Sequence, residues 1–226
     1  MDRRAASIGP AVRRGTLLPV AGAFLVFGSF AGAWAVAVID IERTFGLSDA
    51  ELGTVLAIGI VLAAALNAVG GALTDRWGAT VALARSLAIW SALLVAVALA
   101  PVLGAFAVAF ALATAAGGFV DVVMNVVAAA ALSGTPGRLL RFHGLFNLGA
   151  LLGAATTGIA LELDASWRVV WIGIAVLGLV LALISRSAEP NALKRLSRAT
   201  AQLSRSLNYG CAPMPARLRI AVASNS

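Results

Sequence analysis

Asp121 stands inside the run Ala116-Gly117-Gly118-Phe119-Val120-Asp121-Val122-Val123-Met124-Asn125, where its neighbours are apolar or small. An ionised carboxylate in the apolar interior of a membrane helix costs a few kcal/mol or more, so such a residue by default faces a polar cavity and handles a proton, an ion or a polar solute. Asn125 follows at a spacing of four, which on a helix is the same face. The spacing recurs in Arg141-Phe142-His143-Gly144-Leu145-Phe146-Asn147, with His143 and Asn147 as the polar pair. An imidazole titrates near neutrality and exchanges protons at physiological pH. Asn67 adds an amide in a third apolar run. Asp121, Asn125, His143, Asn147 and Asn67 together predict a pathway for protons and a polar solute. The plainer readings are hydrogen bonds between helices and an interfacial histidine satisfied by water or headgroups. No nucleophile with a base, metal-ligand cluster or phosphate loop is present, so the expectation is no enzyme, no cofactor and no metal. Cys211 is the only cysteine, which excludes an intramolecular disulfide and a cysteine-based metal site.

These residues must be positioned by elements suited to lipid. Of 226 residues, 61% are hydrophobic and 12% charged, against about 25% charged in an ordinary soluble domain. A soluble fold of this length cannot hide that much apolar surface. Apolar runs extend over Leu17–Ile39, Leu52–Leu73, Val81–Val102, Ala105–Leu132, Leu145–Leu161 and Val169–Ile184. Each approaches or exceeds the roughly 17–25 residues that a helix needs to cross hydrocarbon. Inside lipid only helices or closed barrels satisfy the backbone, and the runs lack the alternating polar residues of a barrel. The expected fold is an all-α membrane protein of six transmembrane helices. An N-terminal signal peptide is the competing reading of the first run, and five further runs favour a retained span.

The net charge of +7 would ordinarily raise nucleic acid as a partner. Threading six spans places fifteen of the seventeen Lys and Arg on one side, with only Arg43 and Arg168 on the other. Positive loops mark the cytoplasm, so both termini are expected there and the basic excess reports orientation. Three regions follow: a basic cytoplasmic N-terminus (1–16), a six-helix bundle (17–185) and a basic cytoplasmic tail (186–226). In the tail, Leu193, Leu196, Leu203 and Leu207 repeat at helical spacing with Lys194, Arg195, Arg198 and Arg205 off the stripe. That pattern suits an amphipathic helix on an anionic leaflet, followed by a disordered end. Counting outward from a turn near Thr135 and Pro136, antiparallel fourth and fifth helices would set Asn125 and Asn147 at similar depth. Asp121 would then be about a turn deeper and His143 nearer the cytoplasm. Gly149, Gly153 and Gly158, with Ala154 and Ala155, give the fifth span a small-residue packing face.

Between the second and third runs stands Gly71-Ala72-Leu73-Thr74-Asp75-Arg76-Trp77-Gly78. It resembles the G-x-L-x-D-R-x-G signature of the major facilitator superfamily, in the loop where that family carries it. Glycines permit a tight reversal, Asp75 suits a helix N-terminus, and Arg76 suits an acid or lipid phosphate. The family usually has basic residues directly after the second glycine; here stand Ala79 and Thr80, with Arg85 later. The stretches 118–125 and 143–150 are similar to those of fucose-permease-like, sugar-type bacterial facilitators. In related proton-coupled sugar carriers an acidic residue on the fourth helix takes part in coupling, and the resemblance carries that role to Asp121. The proline of the drug-antiporter signature is missing from the fifth run.

The resemblance implies one six-helix half, built from two inverted three-helix repeats, of an architecture with two halves around a midplane site. It implies Gly71, Leu73, Asp75, Arg76 and Gly78 as a cytoplasmic gate motif. The expected function is proton-coupled secondary transport, by symport, of a small sugar-like or other organic solute across a bacterial inner membrane. The expected partners are the lipid bilayer, the solute, H+, and a second six-helix half or a second copy. The alternatives are a truncated, non-transporting product and a small membrane scaffold that binds partner helices.

Overall fold

Backbone N–H and C=O groups in long apolar runs have one local solution in hydrocarbon, the α-helix. The computed structural model describes the backbone of residues 10–131 and 136–187, and the side chains of 17–129 and 140–187. It contains α1 (Pro10–Phe45), α2 (Asp49–Trp77), α3 (Ala79–Ala98), α4 (Leu103–Ala131), α5 (Pro136–Glu162) and α6 (Trp167–Ser187). All six are long and apolar enough to cross a membrane. The expected amphipathic tail helix lies outside the described residues.

Local chemistry sets the ends. Before α2, Ser48 and Glu51 form a reciprocal capping box: Ser48 N–H donates to Glu51 Oε2 at 2.9 Å, and Ser48 Oγ accepts from the Glu51 amide. This starts α2 three residues ahead of the apolar run. α3 stops at Ala98 rather than Val102, because Pro101 disfavours helical geometry in the residue before it. α5 begins at Pro136, well ahead of Leu145, in keeping with proline's fitness for a first helical position. Gly46 (φ 65°) and Asp164 (φ 57°) end α1 and α5 in the left-handed conformation. Each is followed by an amide that reaches back five residues, Leu47 to Glu42 O at 2.9 Å and Ala165 to Ala160 O at 2.8 Å.

The helices pack in a pattern with internal symmetry. α1 lies along α5 as α4 lies along α2; α3 lies against α4 as α6 lies against α1, where Leu181 covers Gly22. Exchanging the first three helices for the last three maps these contacts onto one another, the relation expected of two three-helix repeats.

Glycine decides the closest approach. A Cβ on Gly28 or Gly32 would lie 2.0 or 1.9 Å from the carbonyl oxygens of Phe146 and Ala150, and one on Gly149 or Gly153 would lie 2.1 or 1.9 Å from those of Leu25 and Ser29. α1 and α5 therefore touch backbone to backbone, gaining dispersion contact where hydrocarbon solvent supplies no hydrophobic drive. The α2–α4 contact uses the same device more loosely, with Gly59 against Thr114, Gly118 against Ala63, and Gly70 against Phe119 and Val122. Gly158, expected on the packing face, has nothing within 4 Å of a built Cβ. The seam turns away from it, so only Gly149 and Gly153 serve the contact.

Aromatic rings fill the remaining centre. Trp171 packs against Phe30, Trp34, Phe110 and Trp167 with centroids 5.0–6.2 Å apart, joining α6 to α1 and α4. Trp90 brings in α3 through Phe27 and Phe30. Arg168, one of the two basic residues assigned to the acidic side, donates from Nη1 to Ala98 O and to Ala100 O, the latter at 2.9 Å. Its guanidinium also lies over the rings of Trp167 and Phe45 at 4.9 and 5.5 Å. A cation at the carbonyl end of α3 is favourable, and this one clips α6 to the α3–α4 turn.

Candidate functional site

α4 brings Asp121 and Asn125 together as their spacing predicts. Asn125 Nδ2 donates to the Asp121 main-chain oxygen at 2.9 Å and to its Oδ1 at 3.1 Å. Both residues are partly buried. Asp121 forms no ion pair with any described residue; His143 stands on α5. The His143 ring stands edge-on to Phe24 of α1, centroids 5.7 Å apart, with Phe142 on the same ring at 5.5 Å.

The depth relation differs from the expectation. α4 and α5 scarcely touch, because the glycine seam places α5 on α1. Phe27 of α1 links the levels: it lies 3.3 Å from a built Gly117 Cβ and its ring is tilted against that of Phe146, centroids 6.2 Å apart. Asp121, one turn from Gly117, is accordingly level with His143, one turn from Phe146. Asn147 sits about a turn deeper than Asp121, and not opposite Asn125. It is exposed and forms no hydrogen bond to a described residue.

Asn67 is also exposed and unbonded among the described residues. The parallel register of α2 on α4, Gly59 to Thr114, Ala63 to Gly118 and Gly70 to Val122, sets it at the depth of Asp121. One level of the bundle thus carries Asp121 from α4, His143 from α5, Asn67 from α2 and the Phe24 ring from α1.

The glycine-rich motif is less of a loop than its composition suggests. Gly71 to Trp77 form the last turns of α2, and the reversal into α3 rests on Gly78 alone, at φ 83°. A side chain at that φ would be strained, so this glycine is required. A Cβ built on Gly71 would meet nothing within 4 Å beyond its own helix. Leu73 packs against the core, whereas Asp75 and Arg76 are exposed and pair with no described residue.

Two comparisons with known proteins bear on this arrangement. The sequence profile of the Major Facilitator Superfamily matches residues 20–221. The chain belongs to that superfamily. It is 31% identical over 167 residues to an uncharacterized MFS-type transporter of Yersinia pestis, an alignment covering 72% of this chain and 40% of the relative. It is 30% identical over 145 residues to the membrane protein MosC of Rhizobium meliloti, covering 64% of this chain and 36% of the relative. The chain thus spans about two fifths of the length of these curated relatives. Superfamily membership agrees with the six helices and their repeat-like packing, and it makes the chain a multi-pass membrane protein of a transporter lineage rather than an enzyme lineage.

Several residues of the superfamily fold escaped the sequence reading. Arg85, noted only as a late basic residue, lies with its guanidinium 4.9 Å over the Trp77 ring. Trp77 stands edge-on to Phe119 at 6.2 Å, two positions before Asp121. Phe24 carried no sequence signal, since one phenylalanine among many apolar residues reads as core.

Proposed function

We propose that this chain forms one wall of a proton-coupled secondary transporter of small sugar-like or other polar organic solutes, working by symport. The observation that carries the reading is Asp121, clamped by Asn125 on α4, with His143 of α5 at the same depth, in helices otherwise built for hydrocarbon. A carboxylate and an imidazole at one depth give a proton two places to reside. Asn67 at that depth, and Asn147 a turn further, extend the polar track. The likeness of 118–125 and 143–150 to fucose-permease-like facilitators supports a hydroxylated solute. The Asp75–Arg76 end of α2 is the gate, and its free charges suit a partner helix.

Alternating access requires two bundles rocking about a shared site. α2 buries only Leu52, Gly59, Gly70 and Thr74, and its outer face suits a second six-helix half or a second copy. The bilayer is read as a bacterial inner membrane with both termini cytoplasmic.

The test is proton-driven uptake in proteoliposomes with a panel of labelled hexoses, pentoses and polyols. Asp121→Asn is expected to abolish accumulation driven by a pH gradient while leaving membrane insertion and helicity unchanged. Uptake by that variant at the parental rate would end the coupling role.

A further inference from the structure

Three turns lie on the membrane side opposite the termini, and one differs in kind from the other two. The α1–α2 turn carries Ser48, Asp49 and Glu51, and the α5–α6 turn carries Glu162, Asp164 and Ser166. The α3–α4 turn, Leu99-Ala100-Pro101-Val102, has no polar side chain, and none occurs anywhere from Ala92 to Ala113. The turn is nevertheless not folded away: Leu99 is 65% exposed and Val102 60%, with Pro101 and Leu103 exposed beside them. A tip of this composition loses free energy in water and loses none in hydrocarbon. Leu99 also continues a stripe of α3 in which Ile89, Ala92 and Ala96 are exposed at helical spacing. That stripe belongs to a membrane span, so the patch on the turn is an extension of a lipid-facing surface. With 20 residues, α3 is about 30 Å long, the thickness of the hydrocarbon, and the turn follows where the helix has crossed it.

Irregular backbone is tolerated next to lipid only where its freed polar groups find partners within the protein. Here they do. Arg168 of α6 donates from Nη1 to Ala98 O and Ala100 O, carbonyls left over where α3 ends. The Leu99 amide reaches Val95 O at 2.9 Å and the Ala100 amide reaches Val97 O at 3.2 Å. Pro101 has no amide to satisfy. The Arg168 guanidinium lies over the rings of Trp167 and Phe45, and a group of cation and aromatic rings suits the level of the lipid headgroups.

We propose that the α3–α4 turn is a lipid-embedded tip. Leu99, Pro101, Val102 and Leu103 rest among the lipids of the leaflet opposite the termini, at the boundary between ester carbonyls and hydrocarbon, while the α1–α2 and α5–α6 turns stand in water. The partner of this surface is the phospholipid leaflet. The tip fixes the depth of the joined ends of α3 and α4 and, through Arg168, that of the start of α6. The inference stands apart from the transport reading, since it uses neither Asp121 nor any solute.

The test places single nitroxide-labelled cysteines in the full chain carrying Cys211→Ser, in nanodiscs of phosphatidylethanolamine and phosphatidylglycerol. Leu99→Cys and Val102→Cys report the tip; Ala50→Cys and Ser166→Cys report the other two turns of the same side. All four positions are exposed, so the labels displace no core side chain. Power-saturation electron paramagnetic resonance compares collisions with oxygen, which concentrates in hydrocarbon, and with a neutral nickel chelate, which stays in water. The ratio of oxygen to nickel collisions is expected to be several-fold higher at 99 and 102 than at 50 and 166. Equal ratios at all four positions would put the tip in water and overturn the proposal. Low access to both reagents at 99 and 102 would show a protein covering the tip, a second copy or another chain, and would overturn it equally. In Arg168→Met, nickel collisions at Val102→Cys are expected to rise, because the two carbonyls then seek water; an unchanged rate would overturn the assignment of Arg168 as the group that lets the turn stay in lipid.

Discussion

Replacing Gly153 by alanine tests the seam that places α5, and with it His143, relative to α4. The added Cβ would lie 1.9 Å from Ser29 O and 2.6 and 2.7 Å from its carbonyl carbon and Cα, where ordinary contact begins near 3.4 Å. A methyl group has no rotamer to escape into, and the atoms it meets are backbone, so the two helices must part by about 1.5 Å to restore ordinary contact. A gap of that size forfeits about half or more of each dispersion contact; with roughly 40 heavy-atom contacts at about 0.1–0.2 kcal/mol each, the loss is about 3 kcal/mol. Alanine returns up to about 1 kcal/mol in helix propensity, leaving a net destabilisation of about 2 kcal/mol. Gly158→Ala is the matched control on the same helix, because nothing lies within 4 Å of its built Cβ. It should gain the propensity term and lose nothing, so the two variants should differ by about 3 kcal/mol. Steric-trapping or denaturant unfolding of the purified protein in bicelles, followed by circular dichroism, measures both. A Gly153→Ala protein within about 0.5 kcal/mol of Gly158→Ala, a margin typical of neutral surface changes, would refute backbone contact between α1 and α5.

Arg168→Met should lower stability by at least about 2 kcal/mol in a thermal melt, since two carbonyl acceptors lose a charged donor. Asp164→Gly should be neutral or raise stability by up to about 1 kcal/mol, because Asp164 holds φ 57° at the end of α5; Asp164→Val should lower it, and the reverse order would show that this φ carries no strain. A reporter fused after residue 226 should be active as a fluorescent protein and silent as alkaline phosphatase; phosphatase activity would reverse the assigned orientation.

The chain's hydrocarbon setting was legible without coordinates, because burying a backbone in lipid allows few solutions and 61% hydrophobic residues leave no soluble alternative. The helix count followed, and so did the Asp121–Asn125 pairing, since four residues along one helix is a local relation. The motif at Gly71–Gly78 led to the superfamily from residue types alone. Relations between helices were not legible. Asn125 and Asn147 look equidistant from the α4–α5 turn, yet α5 is carried off to α1 by Gly28, Gly32, Gly149 and Gly153, and the residue level with Asp121 is His143. Gly158 has the same type as Gly149 and Gly153 and makes no contact. Arg168 looked like an exception to the charge rule until its carbonyl partners, at the end of α3 and in the α3–α4 turn, explained it. Local periodicity and transfer free energy depend on neighbours in the chain, so sequence determined what enters the membrane and which side chains share a helix face. Depth, register and partner depend on which backbones can approach to contact distance, and only the tertiary packing of small residues decided that.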